Sequence, residues 1–316
     1  MSASSKRLYF PSGETRLEAP LIVGPDMLVE GDGKSSVLRW DGPGPGLIFG
    51  PDTGFMYGGW VRDLSLACGV LVRRNAQHCG MSNVWIGSAA GDGLEIRGSG
   101  ERMVFRDVVC YGSGGRGLLI SPDADTSMNG LLFDHCTFQA NKGAGVWLQA
   151  INGAELLDPI FRDCTIQGNG VPLLGDVNGD GQVDMADLAR ALQAGDLASA
   201  QAVSRNMGAI NRVPADLVLR GNVKRVNLDG TWIEPTLTGV AIDGEGGAAV
   251  RTLGTTTISI ARRAAMKLRS CGKCELERLV INVGCGPAVM EATEFELGDV
   301  SAAPGMFPAA RIRRAG

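Results

Sequence analysis

Only two histidines occur in 316 residues, which argues against any site assembled from several imidazoles. No apolar run approaches the ~18 residues needed to span a bilayer, so no membrane partner is expected. The opening segment, MSASSKRLYFPSGETRLEAP, has no apolar h-region, so no secretory signal is expected in it. Charge is nearly balanced at −4, which gives no general attraction to nucleic acid. Aromatics are scarce at 5%, yet 44% of residues are apolar and 20% charged, enough for a packed core. Glycine is the abundant residue, 46 of 316, about twice the usual ~7%.

The eight cysteines sit in a chain far longer than a typical disulfide scaffold of under ~100 residues. Several fall at inward strand positions, where a reduced thiol serves as a small hydrophobe. Cys271, Cys274 and Cys285 are either such structural thiols, three zinc ligands or a redox pair.

Internal repeats decide the fold. A Gly-apolar-x-apolar element recurs as GLIF at Gly46, GVLV at Gly69, GLEI at Gly93, GLLI at Gly117 and GVWL at Gly145. It continues at Asp216, Gly239, Ala265 and Ala288. Most intervals are 22 to 28 residues, with one long exception between Gly145 and Asp216. A second element recurs between these: VRDLSL, MSNVWI, FRDVVC, FDHCTF, FRDCTI, NLDGTW and LERLVI. Both alternate with period two, so both are strands. Units this short cannot bury an apolar face alone and must stack on one continuous core. The expected fold is all-β, a single-stranded parallel β-helix (a solenoid) with a small α-helical EF-hand-like insertion. The boundaries expected are 1–170 for the first rungs, 171–215 for the insertion and 216–316 for the remaining rungs and tail.

Within the second element the expected inward columns are Leu66, Ile86, Cys110, Phe138, Ile166, Trp232, Ile281 and Leu64, Val84, Val108, Cys136, Cys164, Gly230, Leu279. Asp63, Asn83, Asp107, Asp163 and Asp229 repeat at one bend, joined by Asp134 or His135. A carboxylate row can hold cations, but Asn and Asp also tolerate the positive φ of a tight bend, and a residue repeated in every rung marks no single site.

These rungs, with the opening LYFPSGETRLEAPLIV…MLVEGDG, resemble the pectate-lyase superfamily of right-handed parallel β-helices, in the branch common among phage tailspikes. The resemblance covers residues 7 to 300. It implies that substrate, where there is any, lies along the outward face of the Gly-led strand. One outward column there reads Ile48, Leu71, Glu95, Leu119, Trp147, Val218, Ala241, Lys267, Val289; the next reads Arg73, Arg97, Ser121, Gln149, Arg220, Asp243, Arg269, Glu291. An exposed apolar strip suits an oligomer contact, and stacked arginines suit an anionic glycan. Trp147, Gln149, Arg97 and Arg220 are therefore candidate substrate-binding residues. Asp123 and Asp125 on one loop, with Glu155 and Asp158 on the next, are candidate catalytic acids, since glycoside cleavage needs one protonated and one ionised carboxyl. The paired Asp with Gly-His-Gly of polygalacturonases is missing, as is a lyase calcium triad.

The long interval contains GDVNGDGQVDMADLARAL. Asp176, Asn178 and Asp180 take loop positions one, three and five, and Gly181 makes the turn. Gln182 supplies a carbonyl, and Asp184 and Asp187 fall at positions nine and twelve. Alternating oxygen donors of this kind wrap a hard cation, so Ca2+ is the expected cofactor. The segment resembles half of a dockerin, whose partner is cohesin; the second copy is not visible. Three functions remain open: a polysaccharide-interacting tailspike or adhesin, homotrimeric and extracellular or virion-associated; a polysaccharide lyase or glycoside hydrolase; and a scaffold module recruited through the insertion.

Overall fold

The computed structural model describes residues 6–50, 54–73, 75–178, 181–209, 212–291, 293–307 and 312–314. It is a parallel β-solenoid of about 12 turns with two short helices. Among the described residues the strands form one sheet of 22 and one of ten, and every recorded pairing is parallel. The ten-stranded sheet carries the Gly-led strands, from Leu21–Val23 to Ala288–Glu291.

The core is a set of columns running along the axis, because residues in register on successive turns lie one strand spacing apart. One column is Met81, Phe105, Phe133, Phe161, Leu228, Thr252 and Leu276. Its three phenylalanine rings stack at 5.0 and 4.8 Å, with their planes nearly parallel. A second is Leu66, Ile86, Cys110, Phe138, Ile166, Ile233, Ile258 and Ile281. The last but two of these corrects the sequence expectation: Ile233 holds the slot assigned to Trp232, which is 45% exposed. The neighbouring column likewise takes Thr231, not Gly230. Buried Thr231 donates its hydroxyl to the Phe161 carbonyl at 2.9 Å, just as Cys136 and Cys164 direct their thiols to Phe105 and Phe133 carbonyls. A one-residue slip turns every side chain to the opposite face, so the pattern has only one workable register.

The same slip explains the bend. Asp63, Asn83, Asp107, His135 and Asp163 all have φ between 49° and 55°. The next occupant is Gly230 at 66°, whereas Asp229 has ordinary φ, and His135 rather than Asp134 takes the slot. On the ten-stranded sheet, Val218 pairs with Asp243 and Arg220 with Glu245, so Ala241 and Asp243 stand two residues off their expected columns. A further turn, Val250–Thr252 with Thr256–Ile258, lies between rungs the repeat pattern had joined directly.

A buried polar ladder runs through the turns that precede the strands Val146–Ala150, Leu217–Gly221 and Val240–Glu245. Asn141 donates its amide to Asn169 Oδ1 at 2.9 Å, and Asn169 donates to Asp216 Oδ2 at 3.1 Å. Asp216 Oδ1 lies 3.1 Å from Thr238 Oγ1, which lies 3.0 Å from the Val240 carbonyl. All four side chains are fully buried. Burial pushes the Asp216 carboxyl up to about 8, against the lowering effect of Asn169 and Thr238.

The helices Met185–Gln193 and Leu197–Asn206 fall between Thr165–Gln167 and Leu217–Gly221. The strand Val146–Ala150 pairs directly with Leu217–Gly221, so the sheet continues across them without a gap. Asp184 caps the first helix and Asp187 completes a capping box, while Asp196 caps the second. No helix among the described residues is long and apolar enough to cross a membrane.

Candidate functional site

The outward face of the ten-stranded sheet concentrates charge and its most central aromatic. Trp147 is half-buried, directly between Leu119 and Val218 in the ladder. Its indole N–H donates to Gln149 Oε1 at 3.1 Å, and Gln149 donates in turn to Ser121 Oγ at 3.0 Å. Strand periodicity places Trp147, Gln149 and Ser121 outward together, while Val146 and Leu148 point into the core.

Two guanidiniums lie over the Trp147 ring, Arg116 at 5.7 Å and Arg220 at 5.6 Å from its centroid. Each is fixed by an acid on a neighbouring rung. Arg116 makes a two-pronged pair with Asp92, at 3.0 and 2.8 Å. Arg220 binds the Asp243 carboxylate and also donates to the Asp243 carbonyl at 2.9 Å. Asp243 is 2% exposed and has Arg269 as a second cation at 3.5 Å. Burial beside Arg263 and Arg269 lowers the Lys267 ammonium from its ordinary value, the burial effect being the larger. Further along the same face, Asp92, Glu95 and Arg97 line a concavity of about 430 Å³, with Gly44, Pro45 and Gly91. Arg97 is exposed and pairs with Glu95 at 2.5 Å. Arg97, Trp147, Gln149 and Arg220 are thus on one face, as their columns require. Arg116 and Asp92 were missed because they sit in turns 24 residues apart, where no strand periodicity marks them.

The apolar column on this face is largely covered. Ile48 is 6% exposed, Leu119 3% and Val218 0%. Val218 belongs to a second small cluster with Ala144, Ala215, Val240 and Ala264, onto which Trp147 and Val213 pack. The strip expected to be free is therefore part of the chain's own packing.

The four candidate acids take other positions. Glu155 begins the strand Glu155–Leu157 of the larger sheet, and its carboxylate accepts from Lys224 at 2.5 Å and Asn222 at 3.1 Å. The Lys224 hydrogen bond, then Asn222, holds Glu155 below the usual carboxylate range. Asp158 occupies a bend with φ 50° and pairs with Arg225 at 2.7 Å. Asp125 also has positive φ, at 56°, and the Asp123 carbonyl accepts the Thr126 hydroxyl at 2.8 Å. No three of these carboxylates come within 4.8 Å of one another.

In the insertion, Asp180 lies outside the described residues. Asp176 accepts the Gly181 N–H at 3.0 Å, the contact that closes the turn. The fully buried Asp187 carboxylate accepts the N–H groups of Asn178 and Asp184, each at 2.9 Å. Asp184 receives Gln182 Nε2 at 3.2 Å and the Ala186 N–H at 2.7 Å. Val183 is fully buried and bonds through its backbone to Gly208 and Ala209. The loop rests on the solenoid where Gly181 meets the Thr238 and Leu237 carbonyls, leaving no room for a Cβ.

The cysteines are all free. Burial pushes the Cys68 thiol up to about 11, and Cys79 and Cys274 up to about 12. Cys271 and Cys274 are buried and Cys285 is half-buried, and among the described residues the three do not converge as a group of metal ligands.

A second concavity, about 460 Å³, lies on the larger sheet between Trp60, Asp26, Arg62 and Ser82. Trp60 is 38% exposed there.

No protein-family model matches the chain, nor does any curated protein sequence. Solved structures do. The A-module of Azotobacter vinelandii mannuronan C-5 epimerase AlgE6 aligns with a TM-score of 0.55 at 14% identity, covering 95% of this chain and 91% of that one. Geobacillus virus E2 ORF18 aligns with a TM-score of 0.53 at 15% identity over 95% of this chain. The catalytic unit of a GH87 α-1,3-glucanase from Streptomyces thermodiastaticus strain HF3-3 gives 0.52 at 12% identity over the full chain. The chain spans 55% of the viral protein and 64% of the glucanase. At these identities the likeness establishes a shared parallel β-solenoid fold.

Proposed function

We propose that this chain is a polysaccharide-interacting β-solenoid that holds a glycan along the outward face of its ten-stranded sheet. The observation that carries the reading is the Asp92–Glu95–Arg97 concavity joined, through the Asp92–Arg116 pair, to the Arg116–Trp147–Arg220 cluster. Fixed Arg–carboxylate pairs and the Gln149–Ser121 link present donors and acceptors at strand spacing, the kind of lining that fits sugar hydroxyls. Two of the structural neighbours are, by name, a mannuronan epimerase and an α-1,3-glucanase, which supports a polysaccharide as the ligand class. An extracellular or virion-associated setting of the tailspike or adhesin type accords with the viral neighbour.

Binding is preferred over hydrolysis or elimination because Glu155 lies in the other sheet and Asp158 at the bend that follows it, and both are engaged by Lys224, Asn222 and Arg225. The test is affinity electrophoresis through gels containing alginate, a polyanion, or a soluble α-1,3-glucan. Retardation by either that is lost in Arg97→Ala and Trp147→Ala supports the strip. Equal mobility of wild type and both variants in every gel rejects it. Release of reducing or unsaturated ends, abolished in Glu155→Gln or Asp158→Asn, would instead establish the enzyme.

The insertion is read as a Ca2+ loop ordered on the solenoid. Its oxygen-only donor set, Asp176, Asn178, Asp180, the Gln182 carbonyl, Asp184 and Asp187, fits a hard cation. Calorimetric titration with calcium, compared with Asp176→Asn, tests it. The trimer was expected from an exposed apolar column; with Ile48, Leu119 and Val218 buried, light scattering in calcium and in EDTA decides between a trimer and a monomer.

A further inference from the structure

The bend ladder contains one place where its side chains differ from a row of solvated acids. Asp134 ends the strand Ser127–Asp134, with its side chain 8% exposed. Arg106 donates to its Oδ2 at 3.0 Å. The other oxygen, Oδ1, is buried and accepts no hydrogen bond from the protein. It faces His135 Nδ1 at 3.2 Å, while His135 Nε2 lies 3.8 Å from Asp163 Oδ2 on the next rung. One ligand atom from each of Asp134, His135 and Asp163 lies within 4.8 Å of the other two.

A buried carboxylate oxygen is stripped of water and needs a donor or a cation, and Oδ1 has only the His135 Nδ1 contact, which makes no hydrogen bond. Arg106 orients the carboxylate from its far side, as hydrogen-bonded groups behind a metal ligand do. The remaining nearby cation, Arg162, faces Asp229 at 3.7 Å. We propose that Asp134 Oδ1, the His135 imidazole and the Asp163 carboxylate form a site for a divalent transition-metal ion of the zinc class. An imidazole nitrogen selects this class over calcium, which takes oxygen alone. His135 and Asp163 are 59% and 52% exposed, so water completes the coordination. The ion would clamp two successive rungs at their outer bend.

The chain's two histidines make the test direct. The imidazole NMR signals of the full chain, with calcium saturating, are followed during addition of zinc chloride. The expected result is a saturable shift of the His135 signals at one equivalent, with His78 unmoved. Affinity should fall at least tenfold in Asp163→Asn and the His135-specific event should vanish in His135→Asn. Asn tolerates the positive φ at both positions, so the fold is kept, and unchanged far-ultraviolet circular dichroism verifies this. His135 signals unmoved at millimolar zinc would overturn the site. An equal affinity in Asp163→Asn would also overturn it, since the imidazole would then bind zinc without its neighbours.

Discussion

Asp216 should make the stability of the solenoid fall as pH rises through neutrality. Its carboxyl is enclosed, with Asn169 donating to one oxygen and Thr238 beside the other. Thr238 has one hydroxyl proton for two acceptors, Asp216 Oδ1 at 3.1 Å and the Val240 carbonyl at 3.0 Å; given to Val240, it leaves Thr238 Oγ1 free to accept. A protonated Asp216 then donates to Thr238 Oγ1, and every member of the chain is satisfied. Ionisation removes that donor and leaves a charge with no cation among its recorded partners, consistent with a folded value of about 8 against 3.8. The folded state thus holds a proton that the unfolded chain releases. This contribution is fully present below the unfolded value and is lost as pH rises to the folded one. At 1.36 kcal/mol per unit, the loss between about pH 6 and pH 8 comes to about 2 kcal/mol. Asp216→Asn supplies a permanent donor toward Thr238 and keeps an acceptor for Asn169. It should remove the dependence and be the more stable protein at about pH 9. Urea unfolding of both proteins across this range, followed by circular dichroism with calcium held constant, gives the difference directly. Parallel stability profiles for the two proteins would refute the argument.

Phe133, stacked between Phe105 and Phe161, should lose about 3–5 kcal/mol on change to Ala, read by the shift in urea midpoint. Asp243→Ala strands Arg220 against the sheet and should cost about 3 kcal/mol; a loss below about 1 would show the pair to be solvated. Gly80→Ala places a Cβ 1.9 Å from the Val104 carbonyl oxygen, which is backbone and cannot rotate away. It should therefore destabilise far more than Gly230→Asn, where φ is 66° and the obstructing atom is the Asp163 side chain. Thermal melts of the pair rank them. Glu155, held below the ordinary carboxylate range by Lys224 and then Asn222, contributes stability that is lost as pH falls below that range, so the difference in urea midpoint between wild type and Glu155→Gln should be constant above it and shrink below it.

The rungs were legible because their inward positions are apolar at a fixed period and their bends demand Asp or Asn. The register after the insertion was not legible in the same way. Aligning Leu94–Asp107 with Leu217–Gly230 sets Gly230 opposite Asp107, but glycine serves equally at a positive-φ bend and at a crowded inward site. The sequence therefore leaves two registers for this rung, one residue apart, and the fold takes the one with Gly230 at the bend. The turn at Val250–Ile258 breaks the apolar pattern, since Thr252 and Thr256 face the core, polar in sequence yet fully buried. Thr256 returns its hydroxyl to the Leu228 carbonyl at 3.0 Å, which is why a threonine is tolerated there. Trp147 was found from its column, whereas the guanidiniums over its ring depend on turn residues and on pairing across rungs. The bend at His135 looked like one more member of a structural row; only the side-chain geometry distinguishes Asp134 beside it.

From Leu118 to Val146, neighbours in the ladder, the chain travels 28 positions; from Val146 to Leu217 it travels 71. Closing the longer excursion costs only about 0.8 kcal/mol more, because the entropy of closure grows with the logarithm of length. A rung boundary of this kind can therefore take up a foreign segment at slight thermodynamic expense, provided the strands on either side keep their pairing. Growth by acquisition at such seams lets a solenoid change what overhangs its surface while the order of its rungs stays fixed. The kinetic burden falls elsewhere: the two halves of the ladder must find each other across the longest gap in the chain, so assembly of this seam should be the step most exposed to misfolding.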